Sequence, residues 1–248
     1  MESTEAATGS SAEPDTEDST VAAGADENGG NGNGNGRRIR KGERSRMRIL
    51  DAAARLLSCR GYAATTLTDI AGAAEMQAGS LYYHFDSKDA IVEEVLSVGI
   101  DHARSAIDAA LEALGPEARG SDRLAEAIVA YVNCIVAESN FTVANIRCFN
   151  ESPPQTRESL AVPLREFTNL WVGLLAEGQA DGSLRADTNA KVLARIMISG
   201  LNSLASWYRP GGELRLEDLA RQFADMVLDG LHPPEAEPTG RSRGPSGP

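Results

Sequence analysis

Apolar residues in this chain recur at spacings of three and four, and β-branched alternation is nowhere sustained, so helices rather than strands are what the sequence can bury. From Glu43 onward Leu50, Ala53 and Leu57 keep that spacing, Ile49, Ala54 and Leu56 widen the stripe, and Gly61 ends it. Thr65 and Thr66 then stand before Leu67, Ile70, Ala71 and Ala74, a hydroxyl cap in front of a short helix whose inner face is small and aliphatic. Glu75-Met76-Gln77 make a three-residue turn into a second short helix, about Ala78 to Phe85, with Leu81 and Phe85 one turn apart on its inner side. Asp86-Ser87 can cap a long helix running from Lys88 through Ile91, Val95 and Leu96 to Leu114. Beyond the break at Gly115-Pro116 and Gly120, helices are predicted over 121–138, 141–151, 154–178, 189–208 and 216–231, with Pro210-Gly211-Gly212 separating the last two. The predicted fold class is all-α, an N-terminal three-helix helix-turn-helix domain joined to a C-terminal helical domain.

Composition divides the chain further. Residues 1–36 are built mainly from Gly, Ser, Ala, Asn, Glu and Asp, close on an Asn-Gly repeat, and offer almost nothing to bury; they are expected to be a disordered acidic tail, and 233–248 a second, Pro/Gly/Ser/Arg-rich one. The formal net charge of -12 would argue against a nucleic-acid partner if it were evenly spread. It is not: Glu2, Glu5, Glu13, Asp15, Glu17, Asp18, Asp26 and Glu27 sit in the tail, and Arg37, Arg38, Arg40, Lys41, Arg44, Arg46 and Arg48 follow it, interrupted only by Glu43. The expected domains are therefore a helix-turn-helix domain with a basic N-terminal arm over 37–90 and a helical ligand-binding and dimerisation domain over 91–232. Cys59, Cys134 and Cys148 are too scattered for a disulfide framework or a metal site, and His84, His102 and His232 have no paired-ligand spacing. With no Gly-rich phosphate loop and no nucleophile–base pairing, neither an enzyme nor a cofactor is expected. No secretory signal and no membrane-length apolar run is found, which makes a cytoplasmic protein the expectation, with no membrane partner.

Two short helices joined by a tight turn behind a supporting helix are the parts of a helix-turn-helix, in which the second short helix enters the major groove. The stretches Gly61-Tyr62-Ala63-Ala64-Thr65-Thr66-Leu67-Thr68-Asp69-Ile70-Ala71 and Gly79-Ser80-Leu81-Tyr82-Tyr83-His84-Phe85-Asp86-Ser87-Lys88 resemble the DNA-binding domain of the tetracycline-repressor (TetR) family over about fifty residues. That resemblance implies an all-helical homodimer which binds double-stranded DNA and is released by a small ligand. It places DNA contact on Thr66, Gln77, Ala78, Gly79, Ser80, Tyr82, Tyr83, His84 and Lys88. The chemistry agrees: Thr66 and the amides behind it can hold a phosphate, Gly79 lets the backbone come close, and the hydroxyls of Ser80, Tyr82 and Tyr83 reach phosphate or base. The position of the basic run beside the motif makes Arg37, Arg38, Arg40 and Lys41 an arm for phosphates and the minor groove. Two residues depart from the family's usual pattern. Glu75 stands where Gly is common in the turn and calls for a strained or altered turn. Gln77 stands where Ser or Thr is common, and its amide suits paired hydrogen bonds to adenine.

The segment Gly200-Leu201-Asn202-Ser203-Leu204-Ala205-Ser206-Trp207-Tyr208-Arg209-Pro210-Gly211-Gly212 and the helix after it resemble a narrower TetR group that includes acyl-CoA-responsive regulators of steroid and fatty-acid breakdown. An acyl-CoA or other lipid-derived effector is the implied ligand. Tyr131, Phe141, Phe149, Phe167, Trp171 and Trp207 are candidates for its apolar walls, and Arg147 and Arg165 for its phosphate or carboxylate. The resemblance also implies that the last two helices, through Val192, Ile196, Ser199, Gly200, Ser203, Leu219, Phe223, Met226 and Val227, pair with a second copy. A homodimer predicts a palindromic operator with half-sites about 34–36 Å apart. Two other classes fit parts of the sequence: an activator or architectural DNA binder whose affinity no metabolite shifts, and a small enzyme with an incidental helix-turn-helix, against which the missing catalytic groups stand.

Overall fold

The structure is a computed structural model that describes residues 33–209 and 211–232. Residues 1–32 of the expected acidic tail, and the expected C-terminal tail from 233, lie outside the described residues. Among the described residues there is no β-strand, as the apolar spacing predicts, and no single helix is long and apolar enough to cross a membrane.

Helix α1 (Asn33–Arg60) begins ten residues upstream of the apolar period, so the helix backbone takes in the basic run. Once the amphipathic part exists, each added residue needs only one further hydrogen bond. Its inner face buries Ile49, Leu50, Ala53, Ala54 and Leu57, and it ends at Gly61, whose φ of 80° is the left-handed conformation that closes a helix cheaply only for glycine. Helix α2 (Leu67–Ala73) starts at a capping box: Thr66 Oγ1 accepts from the Asp69 amide at 3.1 Å while Asp69 Oδ2 accepts from the Thr66 amide at 3.0 Å. It ends in a Schellman turn, with Met76 N–H donating to the Ala71 carbonyl at 2.9 Å and Glu75 N–H to Gly72 at 3.1 Å.

That turn needs a left-handed residue, and Glu75 supplies it at φ 54°, the one non-glycine with positive φ among the described residues. Of the strained or altered turn expected from the sequence, the structure shows the strained one, an ordinary Schellman turn whose left-handed position carries a costly side chain. A left-handed Glu costs about 1–2 kcal/mol, and glycine returns part of that through its greater unfolded-state entropy. The Arg48–Glu75 ion pair, 3.8 Å long with Glu75 90% exposed, offsets little. Glu75→Gly should therefore stabilise the domain by about 0.5–1 kcal/mol. Thermal unfolding reads this as a rise of roughly 2–4 °C per kcal/mol for a chain of this size, and a fall would show that the turn does not adopt this form.

Helix α3 (Ala78–Leu81) is shorter than the predicted Ala78–Phe85, because tight bonds from His84 N–H (2.9 Å) and Phe85 N–H (3.0 Å) to the Leu81 carbonyl finish the segment. Leu81 and Phe85 are buried as predicted. Helix α4 (Lys88–Leu114) opens on Ser87, whose hydroxyl accepts from Ala90 N–H at 3.1 Å. Arg46 locks these pieces: its guanidinium grips Glu94 with two donors, donates to the His84 carbonyl at 2.7 Å and lies 4.1 Å over the Phe85 ring.

The second half consists of α5 (Gly120–Asn133), which continues as one π-helical turn over Cys134–Glu138, then α6 (Asn140–Cys148), α7 (Pro154–Ser159), α8 (Ala161–Ala180), α9 (Ala190–Trp207) and α10 (Leu216–Leu231). The single helix predicted over 154–178 is two. In an unbroken helix Pro163 would have to bond the Ser159 carbonyl with an N–H it lacks; a new helix starting at Ala161 puts Pro163 in a first turn, where none is required. Helix α4 crosses α6 closely enough that the Thr142 hydroxyl reaches the Gly99 carbonyl at 3.1 Å.

Candidate nucleic-acid interface and effector cavity

Gln77, Ala78, Gly79 and Ser80 form an uninterrupted exposed run at the start of α3, and Tyr82 and Tyr83 follow it at 58% and 80% exposure. Leu81 and Phe85 are the buried side chains of this segment, and Arg46 holds its end through the His84 carbonyl. The Tyr82 ring is not packed between helices. Gln77 is at the N-cap position but its amide makes no cap hydrogen bond, so its donors and acceptor face outward. His84 is half-buried, with its ring edge-on to Tyr83 at 5.2 Å.

Gly79 has no folding reason to be glycine: its φ is not positive, and a Cβ added there meets nothing within 4 Å. Helix propensity favours alanine by about 1 kcal/mol. A residue that the fold would improve by changing, on the face aimed at solvent, fits close backbone approach to a partner. Gly79→Ala is expected to raise the unfolding midpoint slightly while weakening duplex binding about tenfold. Unchanged binding in an anisotropy titration would remove Gly79 from the interface.

Two residues expected at DNA are engaged within the fold. Thr66 spends its hydroxyl on Asp69, whose carboxyl is held below its ordinary value chiefly by that hydrogen bond. Lys88 donates to the Tyr62 carbonyl at 2.6 Å and lies 4.0 Å over the Tyr62 ring, so in this structure its ammonium is held by the turn that follows α1. Tyr62 in turn donates to Asp89 at 2.6 Å, which pushes its hydroxyl up to about 12 and keeps it a donor. Arg37, Arg38, Arg40 and Lys41 fall on the helical backbone of α1, with their side chains outside the described residues.

Of the candidates for the effector wall, three come together. Tyr131, Phe167 and Trp171 are buried with ring centroids 5.3 to 6.4 Å apart. Tyr131 and Phe167 border a cavity of about 70 Å³, together with Gly99, Ile100 and Ala103 of α4, Thr142 and Asn145 of α6, Leu164 and Thr168 of α8, and Ile198 and Asn202 of α9. Burial pushes the Tyr131 hydroxyl far up, and it donates to Asn202 Oδ1 at 2.7 Å. The indole N–H of Trp171 is buried without a hydrogen-bond partner in the structure.

The other five candidates lie elsewhere. Phe141 packs against His102 and borders an open cleft of about 600 Å³ beside α1. Phe149 is half-buried past the end of α6, Arg165 is exposed on α8, and Trp207 is 51% exposed on α9 with its N–H on Ser203 Oγ. Arg147 donates to backbone carbonyls at 2.6 to 3.4 Å and is not part of the cavity wall. The polar residues that do border the cavity escaped the sequence reading: Asn202 stands within the segment that carries the narrower resemblance but is assigned no role there, and Asn145, Thr142 and Thr168 carry no motif. Along α9, Val192, Ile196, Ser199, Ser203 and Trp207 form one exposed stripe and Met226 is exposed on α10, whereas Leu219 is buried and Phe223 packs on Gly200 within the chain.

A short exposed helix with two buried side chains, behind a capped helix pair and ahead of a helical body with a small cavity, is the arrangement of a helix-turn-helix DNA-binding regulator. The chain belongs to the tetR family of bacterial regulatory proteins, which residues 49–95 match, and residues 117–231 match the tetracyclin repressor-like C-terminal domain. It is 36% identical over 200 residues to the HTH-type transcriptional repressor KstR2 of Rhodococcus jostii, covering 76% of this chain and 92% of that protein. The structure of the ketosteroid transcriptional regulator KstR2 of Mycobacterium tuberculosis is similar at a TM-score of 0.65 and 27% identity, over 76% of this chain and 95% of that one. AibR, solved with isovaleryl coenzyme A and operator DNA, shares the fold at a TM-score of 0.68 and 20% identity, over 74% of this chain and 98% of that one.

Proposed function

We propose that this protein is a homodimeric repressor that occupies a palindromic operator and leaves it on binding a lipid-derived acyl-CoA thioester. The observation that carries the DNA half is the exposed face of Gln77, Ala78, Gly79, Ser80, Tyr82 and Tyr83, which the fold presents and does not use. His84 borders that face, and Arg37, Arg38, Arg40 and Lys41 supply the cations that track phosphates. The exposed stripe from Val192 to Trp207 on α9, with Met226, fits a second copy, which sets two recognition helices about one DNA turn apart.

The effector half is supported by the similarity to KstR2 and by a fold that in AibR accommodates both a CoA thioester and DNA. The cavity of about 70 Å³ is far below the roughly 300–1,000 Å³ of drug-sized sites. An acyl group must therefore part the helices that border it, and binding becomes a change of shape. Fluorescence anisotropy on duplexes from around its own coding region, with a panel of acyl-CoA thioesters, tests both halves. Salt-sensitive, sequence-selective binding released by one thioester is the expected result. Binding that no thioester alters would leave an activator or architectural DNA binder as the reading.

A further inference from the structure

Helix α1 ends with unpaired carbonyls, the negative end of its dipole, as every helix does. At Ser58 the next backbone donor in line, the Tyr62 N–H, is turned away past Gly61 and donates to Glu151 Oε2 at 3.2 Å. The freed Ser58 carbonyl accepts from Arg147 Nη1 at 2.6 Å, and the Cys59 carbonyl from the same nitrogen at 3.4 Å. The other arm of that guanidinium, Nη2, donates to the Ala205 carbonyl on α9 at 3.1 Å. Arg147 is thus one half-buried side chain on α6 whose rigid fork is shared between the DNA-binding domain and α9.

Both attachments lead back to the cavity. Arg147 is two residues past Asn145, which borders the cavity from α6; Ala205 is one turn past Asn202, which borders it from α9 and holds the Tyr131 hydroxyl. A displacement of α9 or α6 by a group entering the cavity therefore moves one end of the fork relative to the other. Hydrogen bonds at this distance tolerate only a few tenths of an ångström before weakening. Among the described residues no carboxylate is paired with Arg147, so its charge is spent on the carbonyls it joins.

We propose that Arg147 is the positioning residue which couples the cavity to DNA: it sets the angle of α1, and with it the recognition helix, from the position of α9. This rests on the DNA-binding reading above and adds a route to it. The route passes through a residue that touches neither ligand nor DNA.

The test is a double-mutant cycle on the full chain, using a duplex that the parent protein selects from a randomised library. Arg147→Met keeps the length and removes the fork, Arg147→Lys keeps the charge alone, and Asn202→Ala frees α9 from Tyr131. Arg147→Met should lower operator affinity about tenfold or more and Arg147→Lys by less, because an ammonium keeps one of the two attachments although it cannot hold both helices. Asn202→Ala should lower affinity about threefold in the parent and less than about twofold on the Arg147→Met or Arg147→Lys background, since the link it acts through is gone. A purely structural Arg147 would lower the unfolding midpoint and leave the affinity of the folded dimer unchanged. That result, fold-changes that simply multiply, or an Asn202→Ala without effect in the parent would overturn the proposal while leaving the regulator intact. If the parent selects no sequence, the DNA-binding reading falls and the proposal with it.

Discussion

Replacing Tyr82 and Tyr83 together with alanine should lower operator affinity by about a thousandfold while moving the unfolding midpoint by no more than about 2 °C. The asymmetry follows from where the rings are. At 58% and 80% exposure neither contributes much to the core, and truncation of such residues changes stability by only a few tenths of a kcal/mol. On DNA each phenol can donate to a phosphate oxygen, a charge-assisted bond worth about 2 kcal/mol, or roughly thirtyfold in affinity. Two independent bonds multiply to about a thousandfold. Neither phenol displaces a counterion, so the slope of log affinity against log salt should stay as in the parent; that slope belongs to the basic arm. Tyrosine-to-phenylalanine replacements separate hydroxyl from ring, and full affinity in both would assign the contact to stacking. A double alanine variant that binds within threefold of the parent would mean that this face is not the reader.

The parts of this molecule legible in the sequence are those written locally. Helix α4 runs Lys88–Leu114 and α10 Leu216–Leu231, as predicted, because a serine cap, a glycine with φ 84° and a Pro-Gly-Gly break mark their ends within a few residues of chain. Leu81 and Phe85 read as anchors for the same reason, one helical turn apart. The break at Leu160 was also local, but its signal was Pro163, three residues downstream, acting on a carbonyl one turn upstream. Illegible were the partners of cations. Arg147 and Ser58 are 89 positions apart and Lys88 and Tyr62 are 26 apart, and nothing in either neighbourhood says that an arginine will meet a helix end instead of a phosphate. The cavity lay between these limits. Phe167 and Trp171 are aromatics one helical turn apart and do cluster with Tyr131 of α5, but aromatic spacing predicts burial and cannot distinguish a residue that borders a cavity from one that fills a core.

Gly99→Ala should destabilise the protein by about 2 kcal/mol, lowering the unfolding midpoint by roughly 4–8 °C, although alanine is the better helix former. A Cβ at this position would sit 2.3 Å from the Phe141 carbonyl oxygen and 2.7 Å from its carbon, both backbone atoms of α6. No rotamer change relieves such a contact, so α6 must retreat by about 1 Å, at a cost of about 3 kcal/mol typical of overpacking. Helix propensity returns about 1 kcal/mol of that. The retreat also pulls on the Thr142–Gly99 hydrogen bond, on the Asn145 side of the cavity and on Arg147 at the end of α1, so operator affinity should fall along with stability. Gly173 supplies the control. It lies within α8, and a Cβ there meets nothing within 4 Å, so the same substitution should stabilise by about 0.5–1 kcal/mol and leave DNA binding alone. Opposite signs for one substitution at two helical glycines would isolate the α4–α6 crossing as the cause. An unaltered midpoint for Gly99→Ala would mean that the two helices do not approach as closely as their backbones show.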